Sequence, residues 1–367
     1  MELPYSSELP IHSFSRLFDN MSESYKLFWF QAVIEHVIQG KNRITFSEMI
    51  DYMIADAWYM VSEYRLNFGP SDRLEKLVFQ IYENSGLKTT EKKENILKYL
   101  QDNQEPEVIQ MKRTLALHVP FRLQAPFLTG AKASFWKSQA TVIERMNQEK
   151  HLLYYYDQVQ GLKRSIRINE EWLDYILANQ SILLGWLQFH MIEYLQKRNP
   201  SVPGIPNKIS PPAKRHLEKV KKYWKAIVTV EPVCDIYTGK TLTGEEVSID
   251  HFIPWSYVAH DELYNLTPTT KNVNSSKSNR LPDWNTYFGR LCRIEYQAYQ
   301  IMWRNRTVHA LFEHCKKEHI NSQDALIKLY DPSIGQETFY KNLEDILHPV
   351  YNSALNMGFP KWEASGS

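Results

Sequence analysis

A cluster of prolines divides the chain and limits what it can fold into. Residues 198–212 read RNPSVPGIPNKISPP and contain five prolines: Pro200, Pro203, Pro206, Pro211 and Pro212. Proline lacks a backbone N–H and collides with the preceding helical turn, so this stretch is incompatible with a regular helix or a central strand. We therefore predict a semi-rigid linker over residues 199–212, with separate structures on either side of it.

The part before the linker, residues 1–198, has mainly the periodicity of helices. Apolar residues recur at helical spacing after Ser22, and Gly40 is suited to end that helix. The segment LLYYYDQVQGLKRSIRI predicts a β-hairpin near residues 152–168, with Gly161 in the turn. Asn169 is then predicted to cap one long helix that runs towards Lys197.

The part after the linker begins with a basic helix. AKRHLEKVKKYWKAI has a single acid, Glu218, against Lys214, Arg215, Lys219, Lys221, Lys222 and Lys225. Such a run is typical of a solvated helix face, and it is equally suited to binding the phosphates of a nucleic acid. The sequence leaves both interpretations open. Residues 283–367 return to a helical pattern, which predicts a helical C-terminal extension.

Composition excludes several classes of protein. Hydrophobic residues make up 43% and charged residues 23%, as in an ordinary globular protein, and the net charge is only +1. Any affinity for nucleic acid must therefore come from a local basic surface. The three cysteines form no CxxC pair, which argues against a structural zinc site and favours a reducing, cytoplasmic location. The sequence predicts neither a signal peptide nor a membrane-spanning helix.

One segment of the chain has a pattern that points to chemistry. SIDHFIPWS, residues 248–256, places Asp250 and His251 at the end of a short alternating strand. A loop follows, then a second strand that begins at Asn265, then a helix that Thr269 or Thr270 can cap and that carries Asn274. Side chains alternate along a strand, so Asp250 and His251 point in opposite directions. One side chain can therefore hold a metal ion while the other acts on a water molecule.

This pattern resembles the HNH endonuclease family, whose core is the ββα-metal fold. Asn265 and Asn274 follow His251 by 14 and 23 residues, the spacing found in the HNH domains of RNA-guided CRISPR-associated nucleases. CDIYTGKTL before the motif, and HDELYNLTP and NSSKSNRLP after it, also resemble those domains. Together with the helical periodicity of the rest of the chain, the resemblance predicts a mainly α protein with a small α+β insert. Its parts are a helical N-terminal domain, a basic helix with the HNH core at residues 213–282, and a helical C-terminal extension.

The resemblance also implies roles for individual residues. His251 is the expected general base that takes a proton from water, and Asn265 is expected to hold the loop so that His251 is correctly aimed. Asp250 and Asn274 are the expected ligands of one divalent ion. Their hard oxygen atoms suit Mg²⁺ or Mn²⁺ better than Zn²⁺.

Each of these residues also has a purely structural interpretation. Asp250 and Asn265 are residue types common in turns, and Asn274 could face solvent on its helix. Cys234 is expected to be a small buried residue, and His260 and Asp261 are expected to be surface loop residues without a role. Basic residues that include Lys277 and Arg280 are expected to extend the surface of the preceding basic helix along DNA phosphates, together with Lys219, Lys221, Lys222 and Lys225.

We therefore predict a metal-dependent DNA endonuclease, with a bacterial restriction or phage-defence system as its context. The alternatives are a catalytically silent nucleic-acid-binding or interaction module, and an RNase built on the same core. DNA is the predicted partner. The N-terminal helical domain is predicted to select DNA, to bind a protein partner or to mediate self-association.

Overall fold

The computed structural model describes residues 2–128, 130, 133–212 and 215–364. The described chain is mostly helical, with small sheets of two or three strands, as the sequence predicted. It forms two compact units. The first consists of Met1–Pro200 with Lys208–Pro211, and the second of Ser201–Asn207 with Pro212–Ser367.

The first unit is a helical assembly with one three-stranded antiparallel sheet. Its helices are α1 (Ile11–Phe14), α2 (Tyr25–Ile38), α3 (Phe46–Trp58), α4 (Arg73–Ser85), α5 (Lys93–Asp102), α6 (Pro106–Leu115), α7 (Val119–Arg122), α8 (Gln139–Gln148), α9 (Glu170–Ala178) and α10 (Gln180–Arg198). Its strands are β1 (Arg43–Thr45), β2 (Tyr154–Tyr156) and β3 (Ser165–Ile168), with β3 in the middle. The β2–β3 pair lies where a hairpin was expected, and Gly161 begins a 3₁₀ turn between the two strands.

The core of the first unit is built around α2. This helix is apolar on nearly every side, as expected of a helix that is surrounded by other elements, and most of its side chains are buried. Aromatic rings fill the space beside it. Phe14 stacks on Trp172 with ring centroids 4.6 Å apart, and Phe30 meets Trp186 edge-on. Such pairs add specific geometry to the burial of a large apolar surface.

The long helix expected after Asn169 is interrupted. Asn169 does cap α9, since its side chain accepts a hydrogen bond from the backbone N–H of Glu171. The chain then leaves helical geometry at Asn179, whose side-chain amide donates to the carbonyl of Tyr175 at 2.9 Å. An asparagine that bonds to the backbone in this way competes with the helix, which explains why α9 and α10 are separate.

The proline-rich segment contains a single helical turn, α11 (Ile205–Lys208). Pro206 is tolerated there because it stands in the first turn, where a backbone N–H has no helical partner. Gly204 precedes the turn with φ +65°, and a Cβ at this position would lie 2.8 Å from the Cβ of Ala259. Any larger residue at position 204 would therefore collide with the loop that follows the Asp250–His251 motif.

The second unit places a two-stranded antiparallel sheet among helices. Its helices are α12 (Glu218–Val230), α13 (Trp255–Val258), α14 (Lys271–Lys277), α15 (Trp284–Arg304), α16 (Arg306–His319), α17 (Gln323–Tyr330) and α18 (Gln336–Asn356). Its central strands are β4 (Ser248–His251) and β5 (Leu266–Thr269). A short parallel pair, β6 (Leu281–Pro282) and β7 (Lys361–Trp362), joins the C-terminal segment to the end of the motif region.

Helix α12 packs against this sheet. Its buried side chains are Val220, Tyr223, Trp224 and Ile227, which recur at helical spacing and form one apolar face. The indole N–H of Trp224 donates to the carbonyl of Leu266 in β5 at 2.9 Å, which ties the helix to the strand. The lysines of α12 therefore lie on the sides of the helix that do not enter the core.

Within the described ranges, we find no helix with the length and apolar character that crossing a bilayer requires.

Candidate active site

The motif residues are gathered by two adjacent strands and the helix that follows them. In the antiparallel pairing of β4 and β5, Asp250 lies opposite Thr267 and His251 opposite Leu266. Helix α14 begins directly after β5 and packs against β4. The side chain of Thr270, one of the two threonines that the sequence allowed as a cap, caps α14. The chain thus brings Asn274 back beside the strand that carries Asp250 and His251.

Asp250 is buried and held by two donors. Its side chain is about 4% exposed, and its Oδ2 accepts a 2.6 Å hydrogen bond from the hydroxyl of Tyr237. The ammonium of Lys277 lies 3.1 Å from the same oxygen. Burial, together with the charge of Asp250, raises the pKa of Tyr237 well above its usual range, so this hydroxyl stays protonated and can donate. Oδ1 has a longer contact, 3.3 Å, to Lys277.

Asn274 is oriented by the strand it packs against. Its side-chain nitrogen donates to the carbonyl of Ile249 at 2.8 Å and to the hydroxyl of Ser248 at 3.2 Å. Because the nitrogen is used in this way, the amide oxygen points elsewhere and remains available as an acceptor. A solvent-facing role on α14, the structural alternative for Asn274, does not agree with these contacts.

His251 is enclosed, and both of its ring nitrogens face charged groups. The side chain is about 3% exposed, and Nε2 lies 2.7 Å from Oδ1 of Asp261. Nδ1 lies 3.4 Å from the guanidinium of Arg215, an exposed residue just before α12. Burial lowers the pKa of His251, and the hydrogen bond with Asp261 offsets only part of that effect. The imidazole is therefore neutral at neutral pH, as a general base must be.

Asn265 fastens the loop that follows His251. Its side-chain oxygen accepts from the backbone N–H of Ile253 at 2.8 Å, and its side-chain nitrogen donates to the carbonyl of the same residue at 2.9 Å. The backbone carbonyl of Asn265 accepts from Phe252 at 2.9 Å. These contacts fix the sharp turn after β4, and the positioning role of Asn265 stays a prediction.

The basic residues expected to lie along DNA differ in how exposed they are. Lys222 is exposed on α12, Lys221 and Lys225 are half-buried, and Lys219 is paired with Glu318. Arg280 is exposed and donates to backbone carbonyls at the end of α14. Lys277 is fully buried beside Asp250, so it cannot lie along DNA as part of an exposed surface. Lys214 lies outside the described residues.

Several residues that shape the site were not expected from the sequence. Asp261 was interpreted as a surface loop residue, yet its carboxylate contacts His251. Tyr237 and Lys277 both reach Asp250, and Arg215 reaches His251. Tyr237, Asp261 and Lys277 lie in the segments CDIYTGKTL, HDELYNLTP and NSSKSNRLP that already carried the resemblance, whereas Arg215 lies outside them. Cys234 was expected to be buried and is exposed, so that prediction is wrong.

Comparison with known families agrees with this geometry. Residues 235–283 match the HNH endonuclease family. The matching segment, called the HNH segment below, contains Asp250, His251, Asn265 and Asn274. It supports a nuclease, and hence a hydrolase that acts on nucleic acid. Neither the curated proteins nor the solved structures include a match to the chain. The particular closeness to CRISPR-associated nucleases stays a prediction.

The donor atoms of the HNH segment suit a hard divalent ion. Asp250 offers a carboxylate oxygen, and Asn274 offers an amide oxygen that its nitrogen contacts have turned away from the strand. Members of the HNH family generally use a divalent metal. Across the parts of the chain that the structure describes, no cluster of three or more His, Cys, Asp or Glu side chains could hold a metal. A zinc-type site is therefore not among the described residues, whereas a site of one carboxylate and one amide remains compatible with them.

Proposed function

We propose that this protein is a metal-dependent DNA endonuclease that hydrolyses phosphodiester bonds with a single divalent ion. The observation that carries the proposal is the arrangement at the end of β4. A neutral, buried imidazole follows directly after a buried carboxylate, and an oriented amide from α14 lies beside the same strand. The match of this segment to HNH endonucleases supports the same conclusion.

Asp250 and Asn274 would hold the ion, which we expect to be Mg²⁺ or Mn²⁺. When bound, the ion would offset the negative charge of the phosphate and of the leaving 3′ oxygen. Tyr237 and Lys277 hold the Asp250 carboxylate in place through Oδ2. Two donors on one oxygen leave Oδ1 less encumbered, and this is the oxygen that we assign to the ion.

His251 would remove the proton from the attacking water. Its Nε2 is engaged by Asp261, so Nδ1 is the nitrogen left to accept that proton. Arg215 stands on the Nδ1 side and is exposed. A guanidinium binds phosphate oxygens in pairs, so Arg215 is suited to hold the phosphate that the water attacks. Asn265 keeps the turn after β4 in the shape that this arrangement needs.

A nicking assay on supercoiled plasmid tests the proposal. The full-length protein with Mg²⁺ should cut the plasmid, and EDTA should abolish cutting. Asp250→Ala should remove activity, and moderately higher Mg²⁺ should not restore it. Asp324→Ala is the matched control, because Asp324 is an exposed carboxylate on α17 paired with Lys328. Full activity in excess EDTA would contradict the one-ion mechanism.

The same assay separates the alternatives. Single-stranded RNA should be run beside the plasmid, and cleavage of RNA alone would contradict the DNA substrate. DNA binding without cleavage, under conditions where the protein is folded, would favour a silent binding module. A role in restriction or phage defence stays a prediction. It would be tested by comparing phage plating on cells that carry the wild-type protein and on cells that carry Asp250→Ala.

A further inference from the structure

Asp261 makes a contact that neither the motif spacing nor the family match assigns. It lies ten residues after His251, in the loop between β4 and β5, and its Oδ1 is 2.7 Å from His251 Nε2. The Asp261 side chain is about 22% exposed, whereas the imidazole is about 3% exposed. An ionised carboxylate can only accept a hydrogen bond, so this contact requires the imidazole proton to be on Nε2.

The loop that carries Asp261 is anchored from the other side by the end of α16. His319, the last residue of α16, makes a 2.9 Å contact from Nδ1 to the backbone carbonyl of Asp261. Asn321 donates to the carboxylate of Glu262 from its side chain at 2.8 Å and from its backbone at 3.2 Å. Asp261 is therefore presented to the imidazole by backbone that the C-terminal helices hold in place.

The two sides of the imidazole ring differ in what surrounds them. The Nε2 side is closed by this anchored loop. The Nδ1 side is bordered by Arg215, which is exposed and lies 3.4 Å away. Water and a phosphate group can therefore approach Nδ1 more easily than Nε2. A ring whose proton is kept on Nε2 has its basic lone pair on Nδ1, the side that Arg215 borders.

We propose that Asp261 is a positioning residue, which holds His251 in the Nε2–H tautomer and aims Nδ1 at the attacking water. This inference rests on the proposed nuclease function, because it assigns a second residue to the same proton transfer. An aspartate placed behind a histidine in this way fixes both the tautomer and the orientation of the ring. The role that we assign to Asp261 is exerted through its hydrogen bond with His251.

Histidine NMR tests the tautomer without using activity. The full-length protein is labelled with ¹⁵N-histidine, and the signal that disappears in His251→Ala belongs to His251. Long-range proton–nitrogen correlations then show which ring nitrogen carries the proton. We expect the Nε2–H form in the wild type. In Asp261→Asn we expect the Nδ1–H form or a mixture, because the amide can offer an N–H to Nε2.

Single-turnover cleavage at saturating DNA tests the consequence. Asp261→Asn should lower the rate by at least roughly 10- to 100-fold, the range typical of outer hydrogen-bond partners of metal-ligating histidines, while the affinity for DNA is unchanged. Added to His251→Ala, the same substitution should cause no further loss, because Asp261 acts only through His251. Glu262→Gln is the matched control, since it weakens the anchor of the loop without removing the contact to His251.

The results of these experiments distinguish a failure of the Asp261 role from a failure of the proposed nuclease function. A wild-type rate in Asp261→Asn, or an unchanged tautomer, would overturn the role of Asp261 while leaving the nuclease intact. The role would also be overturned if Glu262→Gln lowered the rate and changed the tautomer of His251 as much as Asp261→Asn does. Asp261 would then serve only to keep the loop folded. Absence of cleavage by the wild type would remove the proposed function, and the NMR result would still decide which tautomer Asp261 imposes.

Discussion

Two neighbouring polar side chains at the end of β4 lie in different surroundings. Asp250 and His251 are neighbours, and both are buried. Asp250 accepts a hydrogen bond from the hydroxyl of Tyr237 and lies beside the ammonium of Lys277. For His251, burial is the largest influence and favours the neutral form. The alternation of side chains along a strand makes this separation possible, because each residue faces its own set of neighbours.

The first prediction concerns His251. Replacing it with alanine should lower the rate of DNA cleavage by about two to four decades, which is the usual contribution of a general base. The affinity for DNA and the thermal stability should be preserved. Single-turnover kinetics with labelled duplex DNA measure the rate, and His314→Ala, at an exposed histidine on α16, is the matched control. Cleavage at the wild-type rate would show that another group takes the proton.

The second prediction concerns Glu295, a buried acid on α15. It is 6% exposed, and its Oε1 has no hydrogen-bond partner among the described residues. Burial raises the pKa of Glu295 well above the ordinary 4.5. At pH values between 4.5 and the raised pKa, Glu295 keeps a proton in the folded protein that it has released in the unfolded chain. The free energy of unfolding therefore falls as the pH rises through this range.

Glu295→Gln removes this dependence, because glutamine stays neutral at every pH. The variant should be more stable than the wild type at pH 8, by on the order of 1 kcal/mol, which corresponds to about 2 to 4 °C in Tm. The difference should shrink as the pH approaches 4.5, where the glutamate becomes protonated in both states. Thermal unfolding across this pH range is the measurement. A difference that stays constant with pH would mean that the Glu295 carboxyl is not held neutral in the fold.

Helix α12 has one face that packs in the core and another that carries lysines. One face packs under the sheet and ties to β5 through Trp224. Lys219, Lys221, Lys222 and Lys225 lie on the rest of the helix. The solvated-face interpretation and the DNA-contact interpretation remain open for them, although Lys219 is already paired with Glu318.

The third prediction separates those interpretations. Replacing the four lysines with glutamine should weaken DNA binding equally for all sequences and should reduce the salt dependence of the affinity. Each lost phosphate contact lowers the slope of log K against log salt by about 0.9. The cleavage rate at saturating DNA should remain near that of the wild type. Affinities measured by fluorescence anisotropy at several salt concentrations provide the test.

A matched control is available on the other helices of the second unit. Replacing Lys316, Lys317, Lys328 and Lys341 removes the same charge from α16, α17 and α18. This control should change the salt slope much less. Equal slopes in the two quadruple variants would assign α12 to an ordinary solvated face.

The whole molecule offers a single set of the residues proposed for catalysis. The sequence contains the Asp250, His251 and Asn274 set once, without an internal repeat. One such site can engage one scissile phosphate at a time. The two strands of B-DNA have opposite polarity and are separated by grooves roughly 6 to 12 Å wide, so the same bound site cannot reach both.

The fourth prediction is therefore that a monomer nicks DNA before it linearises it. Supercoiled plasmid should convert first to nicked circles, and linear DNA should appear later. A two-fold dimer would instead place two sites with the polarity that both strands require, and linear DNA would then appear early. A time course at several protein concentrations, with light scattering to establish the oligomeric state, distinguishes them. Immediate linear product from a proven monomer would contradict the prediction.

The sequence alone predicted the proposed site residues that lie close together in the chain. Asp250, His251, Asn265 and Asn274 lie within one strand, loop, strand and helix, so their spacing directly reflects their geometry. The capping of α14 by Thr270 followed from the same local rules. The mainly helical character of the chain was also visible in the periodicity of its apolar residues.

Other side-chain contacts at the site join elements that are distant in sequence, and only the tertiary structure reveals them. Arg215 comes from another part of the chain, and its distance to the site has no signature in its spacing. Tyr237 lies in a segment that carried the resemblance, but only the structure shows that its hydroxyl reaches Asp250. Asp261 is closer, but the direction of its side chain is set by an anchor that α16 supplies to its loop. Lys277 resembled an exposed basic residue, and only the packing of α14 against β4 placed it beside Asp250. Local patterns determine which elements form, whereas burial and side-chain direction depend on how those elements pack.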